Sequence, residues 1–480
     1  MINFLSVLFP ALGAPVAGLG AVRPRVVHLL LVVAAADAVA ALALAFGTPP
    51  DVVRTLAGRY FVVDPTSRLF LVVVSLVFLG IATYLWTRVR DTPDLREGIE
   101  RFAVWSLVFM SAANLSILSH NLVAAWGFLE LTTFAAVPLI QYHSSPVRVR
   151  AAWRYLLFSS VGLGLAFLGF ACLARSAGAG GHEVTFFLDD LAARAAESDV
   201  LWRRLGLALI VLGYGTKLGL APMYTWLPET YHASPPAVTA LLGAVQFNVA
   251  LVALFRVIQI YRPTDQAVIG PELVGLGLAT MAVSSFGIIA TRNYVKLIAF
   301  ASLNHAGVIA IGLGIGKRAA YGVVLYAVAN AFIKAILFLT AGKIEANYRT
   351  EDAREVSGLL KDMPYSGLFF MVGTFALLGF PPFGSFLGEL IILSGLIGGG
   401  LHGVFAAFCA LLTITFVATG RTVFPMIWGA PRKAVEWKPQ TLASVLPKMV
   451  FLGALLAMGL FLPSPVNVLF RAIAAGLGAE

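Results

Sequence analysis

Cysteine is nearly absent from this chain: 480 residues carry two, Cys172 and Cys409, each inside an apolar run. No CxxC pair or other metal-ligand spacing occurs, and an iron–sulfur cluster needs about four thiolates. A GxGxxG turn between a strand and a helix, which would seat a dinucleotide, is missing too. The chain is therefore expected to hold no metal, redox centre or cofactor of its own, so that any electron chemistry belongs to partners. Charge is also scarce. Asp, Glu, Lys and Arg make up 12% of the residues, against roughly 25% in soluble domains. Hydrophobic residues make up 59% and mean hydropathy is +0.88, which excludes an ordinary soluble protein. The longest polar stretch, about Arg175 to Arg204 with Asp189, Asp190, Glu197 and Asp199, is a loop with room for one short helix. It is too small to bind a nucleotide by itself. The net charge of +10 does not imply nucleic acid, because the basic residues are scattered at the ends of apolar segments rather than gathered in one stripe.

What the chain does have is a succession of apolar segments near the ~20 residues that span hydrocarbon. About fourteen are expected, making an all-α polytopic membrane protein. A leading group of three lies near 2–22, 27–47 and 67–87. Five follow near 102–119, 121–141, 152–175, 205–227 and 237–258, and five more near 271–291, 297–316, 320–342, 366–396 and 402–428, with a last span near 445–462. The corresponding units are 1–100, 101–260, 261–430 and 431–480. The opening MINFLSVLFPALGAPVAGLGAV has no positive n-region, so it reads as a retained first span rather than a cleaved signal. With the N-terminus outside, the clusters Arg23 and Arg25, Arg88 to Arg101, Arg148 to Arg154 and Arg432 to Lys438 fall inside, as the positive-inside rule requires. A five-span repeat re-enters the membrane from the opposite side, so two such units are expected to be inverted copies.

Four ionisable side chains lie deep within these segments: Glu130, Lys217, Lys334 and Glu389. Charge at the bilayer centre costs roughly 2.5–3.5 kcal/mol per residue on insertion scales, and such residues mark ion or proton paths by default. Glu130 stands 175 positions before His305, and Lys217 stands 172 before Glu389, a spacing that suggests two copies of one polar plan. Pro222 follows Lys217 in GYGTKLGLAPMYTWLPE, and Pro381 and Pro382 precede Glu389 in LLGFPPFGSFLGELIIL. Proline breaks helices, and a broken helix survives in a bilayer only where protein or a wet cavity satisfies the freed backbone. Packing kinks or a static ion pair would explain the same residues without transport. Glu130 has Lys217 as its expected partner, and at about 4 Å with an effective dielectric near 20 such a pair is worth roughly 4 kcal/mol. Moving one charge against 100 mV takes about 2.3 kcal/mol, so breaking and remaking the pair is a switch of useful size. His305 and Lys334 are candidate relays between the halves, histidine because it titrates near neutrality and lysine because it does so once desolvated. A hydrogen-bonded structural histidine is the plain alternative for His305.

The segment GTKLGLAPMYTWLPETYHASPPAVTALLGAV resembles the signature of the proton-conducting, antiporter-like membrane subunits shared by respiratory complex I, group 4 membrane-bound hydrogenases and Mrp-type cation/proton antiporters. WGFLEL, VKLIAFASLNHAG, NAFIKAILFLTAGKI and GFPPFGSFLGELIIL are similar to that family's other hallmark segments, in its order, over about 100–430. Within the family the wording is most similar to the hydrogenase-4 component F type. The resemblance implies that Glu130 and Lys217 form a coupling pair, Lys334 a central relay, and Glu389 the terminal site exchanging protons with the outer side. It also implies a proton-translocating, non-redox subunit of an oxidoreductase complex in the cell (inner) membrane. Its partners would be other membrane subunits and peripheral subunits carrying iron–sulfur clusters. A subunit of a secondary Mrp-type antiporter is the alternative, and a membrane scaffold a third. One departure stands out: several relatives carry lysine where this chain has Asn248. Asparagine carries no ionised proton, so its expected part is to orient water. The scarcity of carboxylates near Glu389 leaves few oxygen ligands for sodium and favours protons.

Overall fold

A computed structural model describes residues 9–18, 25–47, 54–56, 59–179, 181, 183–317, 319–431 and 440–478. Both ends of the expected first span, Arg23, and the Arg432 to Lys438 cluster lie outside the described residues. Among those described, ten helices are long and apolar enough to cross a membrane. The chain is a multi-pass membrane protein.

The leading helices are α1 (Phe9–Gly18), α2 (Val26–Phe46) and α3 (Pro65–Asp91). The start of α3 is fixed locally. Asp64 accepts from the Ser67 N–H at 2.9 Å while Ser67 Oγ accepts from the Asp64 N–H at 2.9 Å, and Pro65 fills the first helical position, where no N–H is needed. Before it, Arg54–Leu56 and Phe61–Val63 pair as a short antiparallel hairpin. This departs from the all-α expectation: Phe61, Val62 and Val63 are strand formers lying outside any apolar run long enough to be a helix.

Next come α4 (Ile99–Leu118), α5 (Leu122–Ile140), α6 (Pro146–Ala179), α7 (Val200–Leu218) and the short α8 (Trp226–Ala233). The polar stretch before α7 holds a helix of seven residues, Leu188–Arg194. The two expected spans near 237–258 and 271–291 form one helix, α9, from Pro236 to Ala290. At 1.5 Å per residue, 55 residues would make about 80 Å, well over twice the ~30 Å of hydrocarbon. The helix is kinked at Asp265, whose backbone leaves helical angles (φ −129°, ψ 26°) between Pro263 and Pro271. Then follow α10 (Tyr294–Ile315), α11 (Ala319–Tyr348), α12 (Pro364–Leu377), α13 (Gly384–Gly398), α14 (His402–Trp428), α15 (Leu442–Leu460) and a final α16 (Ser464–Gly476).

Glycines set the closest crossings. A Cβ on Gly169 would come 2.6 Å from the Gly206 carbonyl, and one on Gly213 2.7 Å from that of Gly162, so α6 and α7 run antiparallel with backbones touching. Gly277 against Gly307 and Gly270 against Gly314 do the same for α9 and α10, each with a would-be Cβ within 3.0 Å of the facing carbonyl. Lipid cannot drive helices together by hydrophobicity, and close backbone approach supplies the missing attraction. The most enclosed helices are α11 and the first half of α9, where successive residues are buried on every side.

The bundle has two polar ends. At one, Arg256 pairs with Asp64, Arg203 donates to Asp265 at 2.7 Å, and His120 lies 3.1 Å from Asp189. At the other, Tyr142 donates to the Leu95 carbonyl, and Arg148 donates to the Tyr142 and Ala233 carbonyls. There His232 Nδ1 also lies 2.6 Å from Glu351.

Candidate functional site

Both broken helices are built alike. α7 ends at Gly219 (φ +84°) and α12 is followed by Gly379 (φ +68°), left-handed positions that favour glycine. The Gly219 N–H bonds the Thr216 carbonyl and the Gly379 N–H that of Ala376; the next residues, Leu220 and Phe380, bond Gly215 and Phe375. Three residues past each glycine a proline follows a cis peptide bond, Ala221–Pro222 and Pro381–Pro382. The Thr216 and Ala376 carbonyls each accept a second bond, from different side chains. Trp226 Nε1 donates to Thr216 O at 3.1 Å, whereas Ser385 Oγ donates to Ala376 O at 2.7 Å.

This geometry places the breaks 160 positions apart, so Leu377 takes the place of Lys217, and Glu389 matches Glu229. The N-caps of α5 and α10, Asn121 and Asn293, are both asparagines that accept from their own first turns, and they are 172 positions apart. His305 therefore matches Thr133. The spacing that paired Glu130 with His305 and Lys217 with Glu389 does not join structurally equivalent places, because the connections between elements differ in length in the two halves.

In the first half, Lys217 is buried (3% exposed), and its Nζ donates to Thr133 Oγ1 at 2.6 Å and Tyr155 Oη at 3.1 Å, lying 4.7 Å from the Tyr155 ring centroid. Glu130 and Lys217 make no ion pair within 4 Å; this differs from the direct contact expected from the sequence. Glu130 Oε1 instead accepts from Ser160 at 2.6 Å, and its buried Oε2 has no hydrogen-bond partner. Thr133, one turn beyond Glu130 on α5, holds the ammonium beside the carboxylate's own helix.

From Tyr155 the polar contacts continue. Gln246 exchanges hydrogen bonds with the Tyr155 hydroxyl at 2.6 and 2.9 Å and donates to Thr132 at 2.9 Å. Gln246 closes a π-helical turn, Leu241–Gln246, inside α9, the kind of bulge that turns a side chain toward a functional site. The next residue, Phe247, puts its ring centroid 3.9 Å from Lys334 Nζ, a cation–π contact that leaves the ammonium without an anion. Gly243 of the same turn packs against Phe338, whose Cε2 a Cβ there would approach to 3.2 Å, and Lys334 Cδ lies in ordinary contact at 3.6 Å. Asn248 Nδ2 donates back to the Ala244 carbonyl at 2.6 Å, leaving Oδ1 buried without a partner.

Lys334 shares a stripe of α11 with Asn330 and Tyr326, at intervals of four residues. Both polar atoms of Asn330 are buried without a partner. Tyr326 stacks on His305 with centroids 5.1 Å apart. His305 Nε2 lies 3.0 Å from the Leu377 carbonyl, which can only accept, so Nε2 carries the hydrogen and Nδ1 is left unpaired. A cavity of about 240 Å³ joins His305, Tyr326 and Glu389 with Asn304, Thr413 and Thr415. The Glu389 carboxylate lies on the break itself, and a Cβ on Gly379 would come 2.5 Å from Oε2. Pro381 and Pro382 are exposed at the rim of this break.

Tyr155, Gln246, Thr133 and Ser160 escape a reading of the sequence because they are neutral; Gln246, polar within AVQFN, is the readable signal. Buried ionisable side chains escape it as well, among them Asp37 and Lys448. Asp37, in VVAAADAVAA, is fully buried in α2 and accepts from Ser75 at 2.7 Å and Asn114 at 2.8 Å. Lys448 in α15 is 1% exposed. Among the described residues no group of three His, Cys, Asp or Glu side chains could hold a metal.

Comparison with known proteins agrees with this fold. The chain is 28% identical over 348 residues to a hydrogenase-4 component F homolog of Methylacidiphilum infernorum, covering 70% of this chain and 72% of that protein. It is 27% identical over 412 residues to a Na(+)/H(+) antiporter component of Bacillus subtilis, covering 84% and 80%. A chain of the membrane-bound sulfane sulfur reductase, an archaeal respiratory membrane complex, superposes with a TM-score of 0.88 at 19% identity, covering 100% of this chain and 98% of that one. The profile of the family described as NADH:quinone oxidoreductase/Mrp antiporter, TM, matches residues 119–415, from the cap of α5 into α14. With well over half its length matched, the chain belongs to the NADH:quinone oxidoreductase/Mrp antiporter transmembrane family.

Proposed function

We propose that this chain is the proton-translocating membrane subunit of a redox-driven complex, hydrogenase-like or NADH:quinone oxidoreductase-like. The observation that carries the reading is the polar file from Glu130 and Lys217, through Tyr155 and Gln246, to Lys334, Asn330, Tyr326, His305 and Glu389, buried between its two half-buried carboxylate ends. Glu130 and Lys217 act as the coupling pair, working across Thr133 and Ser160 rather than in contact. Lys334 is the central relay, and His305 passes protons between it and Glu389, the terminal site. Pro222, Pro381 and Pro382 keep the two breaks open, and Asn248, with its free Oδ1, orients water on the Lys217 to Lys334 leg. Water is the natural carrier where buried polar atoms lack protein partners.

The architecture proposed with this function has fourteen passes: a leading group (1–100), two inverted five-helix repeats (101–260 and 261–430) and a final span (431–480). Counting α7 with α8 and α12 with α13 as one pass each, and the two halves of α9 separately, supports that number. The end carrying the Tyr142 and Arg148 contacts is assigned to the inner side of the cell (inner) membrane, because Arg88, Arg90, Arg148, Arg150, Arg154, Arg292 and Lys296 gather there, and the N-terminus then lies outside. Partners are other membrane subunits together with peripheral subunits carrying iron–sulfur clusters. A secondary Mrp-type cation/proton antiporter is the second reading, favoured by the greater share of the chain that the Bacillus subtilis antiporter component covers. Purifying the native complex in mild detergent and identifying its polypeptides separates the two. Co-purifying redox subunits support the pump, after which Lys217→Ala abolishes proton transport in vesicles; finding only other small membrane subunits refutes it.

A further inference from the structure

A basic recess away from the polar file has no assigned role. The end of α3, the end of α11 and the start of α15 enclose a cavity of about 170 Å³ lined by Arg88, Asp91, Lys343, Gln440, Thr441 and Ser444. A water needs only about 10–15 Å³ of such space, so the cavity has room for several waters or for a phosphate group. Lys343 is 9% exposed, and its ammonium makes no hydrogen bond or ion pair among the described residues. Lys448, one turn beyond Ser444 on α15, is 1% exposed; its Nζ has no hydrogen-bond partner and rests 5.3 Å from the Phe369 ring centroid. Asp91 is the one carboxylate on the lining, and Arg90 already binds it at 3.2 Å. The lining thus gathers Arg88 and Lys343 with one carboxylate, itself engaged, and Lys448 lies behind it; Tyr84 and Glu345 also act on Arg88, so Lys343 and Lys448 are the cations left without an anion where buried cations normally have partners.

The backbone adds to this. Thr441 caps α15 without a side-chain bond, and while the Ser444 N–H turns back to the Thr441 carbonyl at 2.9 Å, the Leu442 and Ala443 N–H groups are left without a protein acceptor among the described residues, at the positive end of the helix. Starting beside Thr441 at the recess, the outer face of α15, turned away from Ser444 and Lys448, exposes an apolar ridge, Leu442, Leu446, Met449 and Val450, each about half exposed or more. A phosphate in the recess with acyl chains along that ridge would satisfy both features. We propose that this cavity binds the phosphate of an anionic lipid headgroup, held by Lys343, Arg88 and the α15 N-terminus, with Lys448 behind it. The ridge favours a lipid over free phosphate, which has no use for it.

Native mass spectrometry of the chain purified in its complex tests the proposal, with phosphatidylglycerol, phosphatidylcholine or inorganic phosphate added after delipidation. Wild type is expected to retain phosphatidylglycerol in preference to phosphatidylcholine. Lys343→Gln combined with Lys448→Gln should lower that retention by about tenfold, the least expected on losing a charge-assisted contact. Ser444→Leu, which fills the recess without removing charge, should give the same loss; Lys361→Gln, elsewhere on the same face, and Lys343→Arg should not. Equal retention of the two lipids, or unchanged retention in both the double variant and Ser444→Leu, overturns the proposal. Inorganic phosphate raising the melting temperature of the delipidated chain without a phosphatidylglycerol preference assigns the site to a free anion and overturns the lipid. None of these readouts depends on proton transport.

Discussion

Tyr155→Phe removes one oxygen and leaves the packing in place, which makes it a clean probe of the polar file. The ring stays against Trp226, with centroids 5.3 Å apart, so the fold loses little. The hydroxyl, however, is bonded to both Lys217 and Gln246. Its loss leaves the ammonium with Thr133 alone and frees Gln246 from all but Thr132. A hydrogen bond to a charged group is worth about 1.5–3 kcal/mol net, and each 1.36 kcal/mol on a barrier is a factor of ten in rate. Proton transfer past Lys217 should therefore slow by about tenfold to a hundredfold. The assay is acidification of inside-out vesicles carrying the complex, followed by an acridine dye, with electron flux or the driving ion gradient measured in parallel. The chain should still melt within a few degrees of wild type. Full acidification by Tyr155→Phe would refute the file at its narrowest step, because among the described residues it is this hydroxyl that links Lys217 to the turn beside Lys334.

Further outcomes follow from other contacts. Gly379→Ala puts a methyl 2.5 Å from Glu389 Oε2 at a left-handed backbone position; a cost of about 1–3 kcal/mol is expected, together with loss of transport, measured by melting and by the same vesicle assay. Gly213→Leu forces α6 and α7 apart and should abolish membrane accumulation of folded protein, read by size-exclusion profile in detergent. Asp64→Asn keeps the α3 cap but leaves Arg256 unpaired, whereas Asp64→Ala loses both. The alanine variant should be less stable than asparagine by about 1 kcal/mol, and the asparagine variant already less stable than wild type. Burial opposes ionisation of Asp64, but Arg256 and Ser67 prevail and hold its carboxyl below the ordinary value of 3.8. Its contribution is thus fully present above pH ~4 and lost as pH falls through the lower folded value, so wild type and Asp64→Asn should converge in melting temperature toward acid pH.

Much of this is readable from the chain. Uninterrupted apolar runs announce helices whatever their partners, so α2 to α6 lie close to where hydropathy puts them. Charges inside such runs are conspicuous for the same reason, which is why Glu130, Lys217, Lys334 and Glu389 can be named before any geometry. Relations between elements are less legible. Opposite charge suggests a contact between Glu130 and Lys217, yet Thr133 takes it because the helix crossing sets the reach of each side chain. The two-copy spacing misleads because unequal connections shift the breaks to 160 positions while the caps of α5 and α10 stay at 172. Gln246 and Tyr155 carry no charge to attract notice, and only the π turn shows why a glutamine at that place faces the interior. The hairpin before α3 is too short for alternation to declare it.

The aromatic ring beneath Lys334 has a consequence for control. A carboxylate there would hold the lysine's proton by opposite charge and compete for it at every turnover. Phe247 steadies the ammonium without being able to take anything from it, so the ring is a resting place and never an acceptor. On the proposed function, departure of the proton depends on whether water reaches the amine, and the unpartnered polar atoms of Asn248 and Asn330 are where such water would be held. On that reading, wetting governs this step, and whatever opens or dries those two asparagines would set the pace of the whole file.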